Sequence, residues 1–269
     1  MHFINSTTNL LRRFHLIEFE DLESFPACIR DGITDYLRFV ITTFRMYEPV
    51  TEVLKRVIEK SGKKEILDLC SGGSGSLMRT VRKLDEITNG EIKVTMSDKF
   101  PNIAAYRNVS KSTNGRIEFI ETPVDASNVP SSLNGIRTIF SSFHHFDESE
   151  AKAVLKDAVD KKSPICIFDG AERKLRYAFA VLLSTPVGMP LFTPFYRPFS
   201  FKRLFFTYII PLIILFGLWD GVVSMLRIYE PDEMLKMANE IDSENYEWES
   251  GKLKAPIGTK INYLVGIPK

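Results

Sequence analysis

The sequence predicts an α/β fold built on a mostly parallel sheet, and three observations carry that expectation. Short apolar runs of strand length alternate with amphipathic helical stretches between residues 65 and 170, the pattern of successive βαβ units buried on both faces. The first of those runs, EILDLC, empties into SGGSGS, a glycine-rich turn that opens a helix. The chain then closes on two strand-like stretches, YEWESGKLKA and TKINYLVGIP, joined by APIG as an antiparallel pair would be.

Each element follows from its local pattern. Residues 1–62 are expected to form a helical segment. In DGITDYLRFVITTF, Ile33, Tyr36, Leu37, Val40, Ile41 and Phe44 share one helical stripe. PVTEVLKRVIEKSG repeats the pattern with Val50, Val53, Leu54, Val57 and Ile58, and Gly62 closes it as a C-cap. From residue 63 the expected strands are 65–70, 91–98, 116–125, 135–143 and 163–170. The helices between them include 76–87, N-capped by Ser74 or Ser76, one after Pro101, and 148–161. After residue 171 the alternation stops. Pro186, Pro190, Pro194, Pro198 and Pro211 cut the chain into short pieces until EPDEMLKMANEI restores a helix, with Pro231 in its first turn.

Composition narrows the function classes. The 269 residues are 44% hydrophobic and 26% charged, which suits a packed core and excludes a disordered chain. Basic and acidic residues number 35 and 34, so no global field favours nucleic acid as a partner. The start, MHFINSTTNLLRRF, lacks the apolar stretch of a signal peptide. Cys28, Cys70 and Cys166 are odd in number and widely spaced, matching neither a disulfide framework nor a zinc site. A reducing, cytoplasmic setting and no metal are expected.

A strand, a glycine turn and a helix N-terminus together receive an adenosine-containing ligand, because glycines admit the ligand to the backbone and the helix offers free N–H groups. Two carboxylates sharpen the expectation. Asp98 is placed at the end of the second strand, where an ionised carboxylate accepts from ribose hydroxyls. Asp125 is placed at the end of the third, where it accepts from an adenine amino group. The simpler alternative is that both cap the helices that follow.

Here the chain resembles the class I S-adenosylmethionine-dependent methyltransferases. The resemblance runs from about residue 65 to 267 and rests on EILDLCSGGSG, VTMSD, PVDASNVP, IRTIFSSFHHF and PICIFDG, with the closing helix and hairpin. It implies a Rossmann-like doubly wound sheet of seven strands, mostly parallel, whose last strand runs antiparallel between its neighbours. It implies that Asp68 and the turn at Gly72, Gly73 and Gly75 hold the methionine part of the cofactor, Asp98 the ribose, and Asp125 with Ala126 the adenine. The family's first glycine is Cys70 here, a departure that bears on the turn's geometry. Cys70 itself is expected to touch the cofactor without a covalent role. A nicotinamide dehydrogenase is the nearest rival, but the turn does not read G-x-G-x-x-G and the closing antiparallel pair has no place in that fold.

Methyl transfer from a sulfonium needs alignment and exclusion of water, and a base only where the acceptor carries a proton. His144 and His145, after the fourth strand, are the candidate bases. Asp169 and Glu172 end the fifth strand and could orient an acceptor, although helix capping and a pair with Arg173 are the favoured readings. N-terminal aromatics such as Tyr36, Phe39 and Tyr47 could cover the cofactor or simply belong to the core.

One segment stands apart. LFFTYIIPLIILFGLW, residues 204–219, carries no charge. A single membrane crossing there is incompatible with strands that must rejoin the same sheet. Three arrangements remain open: an interfacial or re-entrant hairpin broken at Pro211 or Gly217, a buried cap lining an apolar acceptor pocket, or a homodimer interface. Between residues 173 and 229 seven basic residues face one acid, Asp220, which suits an anionic membrane surface or an acceptor with an acidic head. Trp219 suits an interface or a pocket wall, and Asp220 needs a partner. The expected organisation is therefore a helical segment (1–62) and a methyltransferase-like domain (63–269) with a cap or membrane-facing insertion at 172–229. Its acceptor is expected to be small and largely apolar. The alternative is a catalytically silent module that docks through 173–229.

Overall fold

The computed structural model describes residues 11–73, 75–88, 92–197 and 199–269. The candidate cap Ser74 lies outside them. Two helices come first, α1 (Ala27–Thr43) and α2 (Val50–Ser61), with Gly62 closing α2 at φ +66°. The alternating region follows: β1 (Glu65–Leu69), α3 (Gly75–Thr88), β2 (Lys93–Met96), α4 (Ile103–Ser112), β3 (Ile117–Phe119), β4 (Ile136–Phe140), α5 (Glu148–Asp160) and β5 (Ile165–Asp169). Then come α6 (Leu175–Phe192), α7 (Phe201–Tyr208), α8 (Leu212–Arg227), α9 (Pro231–Ile241), β6 (Tyr246–Lys254) and β7 (Lys260–Pro268).

The strands form one seven-stranded sheet in the order β3-β2-β1-β4-β5-β7-β6. Pairing is parallel from β3 to β5, and β7 runs antiparallel to both β5 and β6. Successive side chains of a strand point to opposite faces, and the core divides accordingly. Ile66, Ile136, Phe140, Cys166 and Phe168 pack with α2, α3 and α4. Leu67, Leu69, Ile139, Ile165 and Ile167 pack with α5 and α9.

All five expected strands between residues 65 and 170 are longer than the observed ones, and three of the differences bear on a candidate residue. β2 ends at Met96 and β3 at Phe119, so Asp98 and Asp125 lie in the loops beyond them. β3 is an edge strand, and Pro123 has no N–H to extend its ladder. β4 stops at Phe140 because Ser141 turns the chain at φ +51°, and Phe143–His145 then form a 3₁₀ turn.

The uncharged run at 204–219 is not one helix. It breaks between α7 and α8, which meet at 78°, where Pro211 offers no N–H to continue the first helix. Gly217 lies inside α8 rather than at a break. A Cβ there would sit 2.3 Å from the Met189 Cε of α6, so glycine is what lets α6 and α8 pack closely. The excess positive charge of the segment is partly internal, against expectation. Arg173, Arg203 and Arg227 are buried. They pair with Glu233, with Asp35, and with Glu18 and Asp21 respectively.

An N-terminal strap, residues 11–25, crosses α8. Asp220 accepts the backbone N–H of Phe19 at 2.8 Å and of Glu20 at 3.2 Å. Trp219 Nε1 donates to the Ile17 carbonyl, and Phe14 N–H to that of Leu226.

Candidate active site

The glycine turn is built by the residues that leave β1. Cys70 and Gly72 both take positive φ, +56° and +47°. That conformation is strained for a cysteine and free for a glycine. Asp68, buried at the end of β1, braces the turn from behind. Its two carboxylate oxygens accept the hydroxyls of Ser71 and Thr138, each at 2.6 Å. Burial pushes its pKa up, the two hydroxyls restrain the rise, and the charge of Asp98 adds to it, giving about 7. Asp68 thus ties β1, β4 and the turn together, and its carboxylate is used within the protein. Gly75 opens α3.

Asp98 faces the turn. It accepts Gly72 N–H at 3.0 Å and Phe100 N–H at 2.8 Å, one on each oxygen. Each oxygen keeps lone-pair capacity for a further donor. Asp125 comes alongside through the Val124 N–H bond to the Asp98 carbonyl. One of its oxygens holds the Ser127 N–H and hydroxyl, and the other lies 3.4 Å from Lys99. These bonds, that of the Ser127 hydroxyl foremost, hold its carboxyl below the usual range. Its neighbour Ala126 is buried. Burial and the carboxylates of Asp98, Asp68 and Asp125 together push the Cys70 thiol well up, so it stays protonated and is no nucleophile.

A cofactor of the expected type fits this arrangement. A Cβ at Gly72 would meet nothing within 4 Å, so the turn opens onto free space. Asp98 stands at that opening through the Gly72 N–H, and its spare lone pairs suit hydroxyl donors.

Beyond β4 and β5 the two candidate bases diverge. His144 is buried, with Nδ1 3.0 Å from Asp169 Oδ1. Asp169 is itself fully buried, and its second oxygen has no hydrogen-bond partner. Tyr47 caps this end of the sheet, bonded to the Ser141 hydroxyl, with its ring oxygen 2.7 Å from where a Cβ of Gly170 would stand. His145 stacks on His144, ring centroids 4.4 Å apart, and turns to the strap instead. Its Nδ1 lies 2.7 Å from Asp21 and 3.6 Å from Glu18. Burial alone would lower its pKa, but those two carboxylates outweigh burial and raise it to about 9. At neutral pH His145 is therefore an imidazolium and cannot accept a proton.

Glu172, expected near the acceptor or beside Arg173, is instead buried among Lys174, Arg176 and Lys252 at 2.6–2.9 Å. Burial would raise its pKa; the three cations bring it to about 2. Asp220 is committed to the strap backbone, and Trp219 is half-exposed beside the strap. The groups that sequence reasoning missed are Glu18, Asp21 and Arg227. They join His145 from separations of 82 residues or more, and no local motif announces them. Glu18, His144 and His145 bring ligand-type atoms within 4.8 Å of one another. In this structure Glu18 is paired with Arg227 and His145 with Asp21, while His144 is bonded to Asp169.

No protein-family model matches the sequence, and no curated protein matches it. Solved structures do match by shape. The plantazolicin methyltransferase BpumL, solved in complex with SAH, is 12% identical with a TM-score of 0.53, over 93% of each chain. The CMeT domain of the citrinin polyketide synthase is 11% identical with a TM-score of 0.53, over 86% of this chain and 55% of that one. An O-methyltransferase family protein from Burkholderia thailandensis is 15% identical with a TM-score of 0.50, over 88% of this chain and 59% of that one. Several other matching structures are likewise spanned only to 54–60% of their length. The fold is thus the Rossmann-like fold of class I S-adenosylmethionine-dependent methyltransferases, with its antiparallel closing strand.

Proposed function

We propose that this protein belongs to the methyltransferase family whose fold it has, and that it moves a methyl group from S-adenosylmethionine to a small, largely apolar acceptor. The observation that carries the reading is the Asp98 carboxylate bound to the Gly72 N–H at the mouth of an open glycine turn. The backbone of Cys70, Gly72, Gly73 and Gly75 would hold the methionine part, with Asp68 fixing their shape from behind. Asp98 would take the ribose hydroxyls, and Asp125 with Ala126 the adenine.

S-adenosylmethionine supplies an electrophilic methyl group on a good leaving group, so the chain's own task is alignment and exclusion of water. His144 is the residue to remove a proton from the acceptor. Asp169 holds Nδ1 and so leaves Nε2 for that proton. His145, held as a cation, fastens the strap over the crevice. Trp219, with Phe19 beside it and Phe216 beside Phe19, supplies apolar surface on the strap side, where the acceptor would enter. Asp220 supports that wall through the strap backbone.

The setting is cytoplasmic, with contact at a membrane. One observation favours a second reading, a catalytically silent module docking through 173–229: the outer face of α6 and α7 is apolar and exposed. Calorimetric titration with S-adenosylhomocysteine tests the first reading. Wild type should bind, and Asp98→Ala should bind at least tenfold more weakly, about 1.4 kcal/mol, with a thermal melt confirming its fold. Equal affinity in a folded Asp98→Ala, or no binding to folded wild type, would sink the assignment.

A further inference from the structure

The outer face of the α6–α7 layer is apolar where a core helix would be polar, and we infer that this face seats the protein on the surface of an anionic lipid bilayer. The inference does not rest on the methyltransferase reading.

The stretch Leu175–Phe195 is 21 residues long and apolar enough to cross a membrane, yet only 28% of an 18-residue apolar window in it is buried. Helix α6 turns Ala178, Thr185, Gly188 and Met189 inward. It leaves Leu183 73% and Val187 64% exposed, with Leu191 and Phe195 beside them. The patch continues over the corner into α7, where Phe201 is 80% exposed and Ile209 70%. Tyr208 binds the two helices together through the Pro190 carbonyl. Large apolar side chains on the outer face, with three of the four inward ones small, depart from the pattern of a soluble helix.

Charge identifies the occupant. No acidic residue occurs between residues 177 and 219. Arg197 and Lys202 are exposed among Phe195, Phe199 and Phe201. Exposed cations interleaved with aromatic rings suit anionic headgroups above an acyl boundary. A second copy suits the patch less well: a two-fold contact sets a surface against itself, and these cations would meet no acid there.

The helices lie along the bilayer rather than through it. Arg203 pins α7 to Asp35 of α1, and Asp220 and Arg227 pin α8 to the strap. β5 before the segment and α9, β6 and β7 after it belong to one body.

Vesicle flotation of the full chain tests this. The probes are phosphatidylcholine vesicles with and without one quarter phosphatidylglycerol, at ~0.1 M and ~0.5 M salt. The protein should float with the anionic vesicles, less at high salt and less without phosphatidylglycerol. Arg197→Glu with Lys202→Glu should weaken binding about tenfold or more, and Leu183→Asp with Phe201→Asp should abolish it. All four positions are exposed, and thermal melts confirm that both variants fold. Failure to float with either vesicle would overturn the inference. So would sedimentation showing a dimer that Leu183→Asp with Phe201→Asp dissociates. Titration of the same samples with S-adenosylhomocysteine tests the cofactor separately, so one reading can fail without the other.

Discussion

Asp220 gives the most quantitative prediction. Its side chain is 2% exposed, and it receives the strap through the N–H groups of Phe19 and Glu20. Burial raises its pKa from an ordinary 3.8 to about 6; the two N–H bonds limit the rise, and Glu18 and Asp21 add to it. The folded protein therefore holds this proton more tightly than the unfolded chain does. Stability falls as pH rises from about 4 to about 6, and above that range the full cost is present. A rise of roughly two units corresponds to about 3 kcal/mol. Asp220→Asn keeps the size and one acceptor oxygen but cannot ionise. The amide leaves one of the two strap N–H groups without its acceptor, a cost that does not vary with pH, so the variant should gain on wild type by about 3 kcal/mol between pH 4 and pH 7, on the order of 5–10 °C in melting temperature. Glu20 is coupled to Asp220, since burial first and then the Asp220 charge raise its carboxyl to about 8, so the difference between the two curves reports the Asp220–Glu20 pair. Urea denaturation of both across pH 4–8 is the assay. A difference that does not change with pH would refute a buried, charged Asp220 holding the strap.

The two histidines should separate. His144→Ala should lower methyl transfer from labelled S-adenosylmethionine into an acceptor-containing extract by roughly 10²–10⁴-fold, with S-adenosylhomocysteine affinity unchanged; an unaffected rate would remove it as base. His145→Gln should instead alter the pH dependence of stability. Its raised pKa makes wild type lose stability as pH climbs from 6.5 to about 9, and the variant should lack that loss. Gly217→Val should cost about 1–3 kcal/mol by overpacking α8 against Met189, and Met189→Ala in the same chain should recover part of it. No recovery would place the strain elsewhere.

Local pattern was enough for much of this molecule. The stripe of α2, the cap at Gly62 and the glycine turn after β1 are short-range features, and short-range sterics and periodicity settle them; on α1 Ile33 is buried, but Leu37 and Phe44 of the expected stripe are exposed. The antiparallel closing pair and the placement of Asp98 at the turn followed from strand order, which βαβ connections restrict. Strand ends were less legible. Ladder length depends on the partner strand, and β3 at the edge has a partner on one side only.

The sequence by itself determined that a glycine turn and Asp98 would meet at the carboxyl end of a parallel sheet, and that the segment after β5 would be apolar and basic. It could not say which way those apolar side chains point. Attention therefore fell on residues 204–219, whereas the exposed face belongs mainly to α6 and the corner into α7. Hydropathy counts side chains along the chain; direction is set by what each helix packs against. Only tertiary structure decided that Arg173, Arg203 and Arg227 are buried in ion pairs. It also decided that His145 is a cation while His144 is left to Asp169. The charges that fix both roles arrive from distant parts of the chain, and in a low-dielectric interior a neighbour's charge outweighs a side chain's intrinsic pKa.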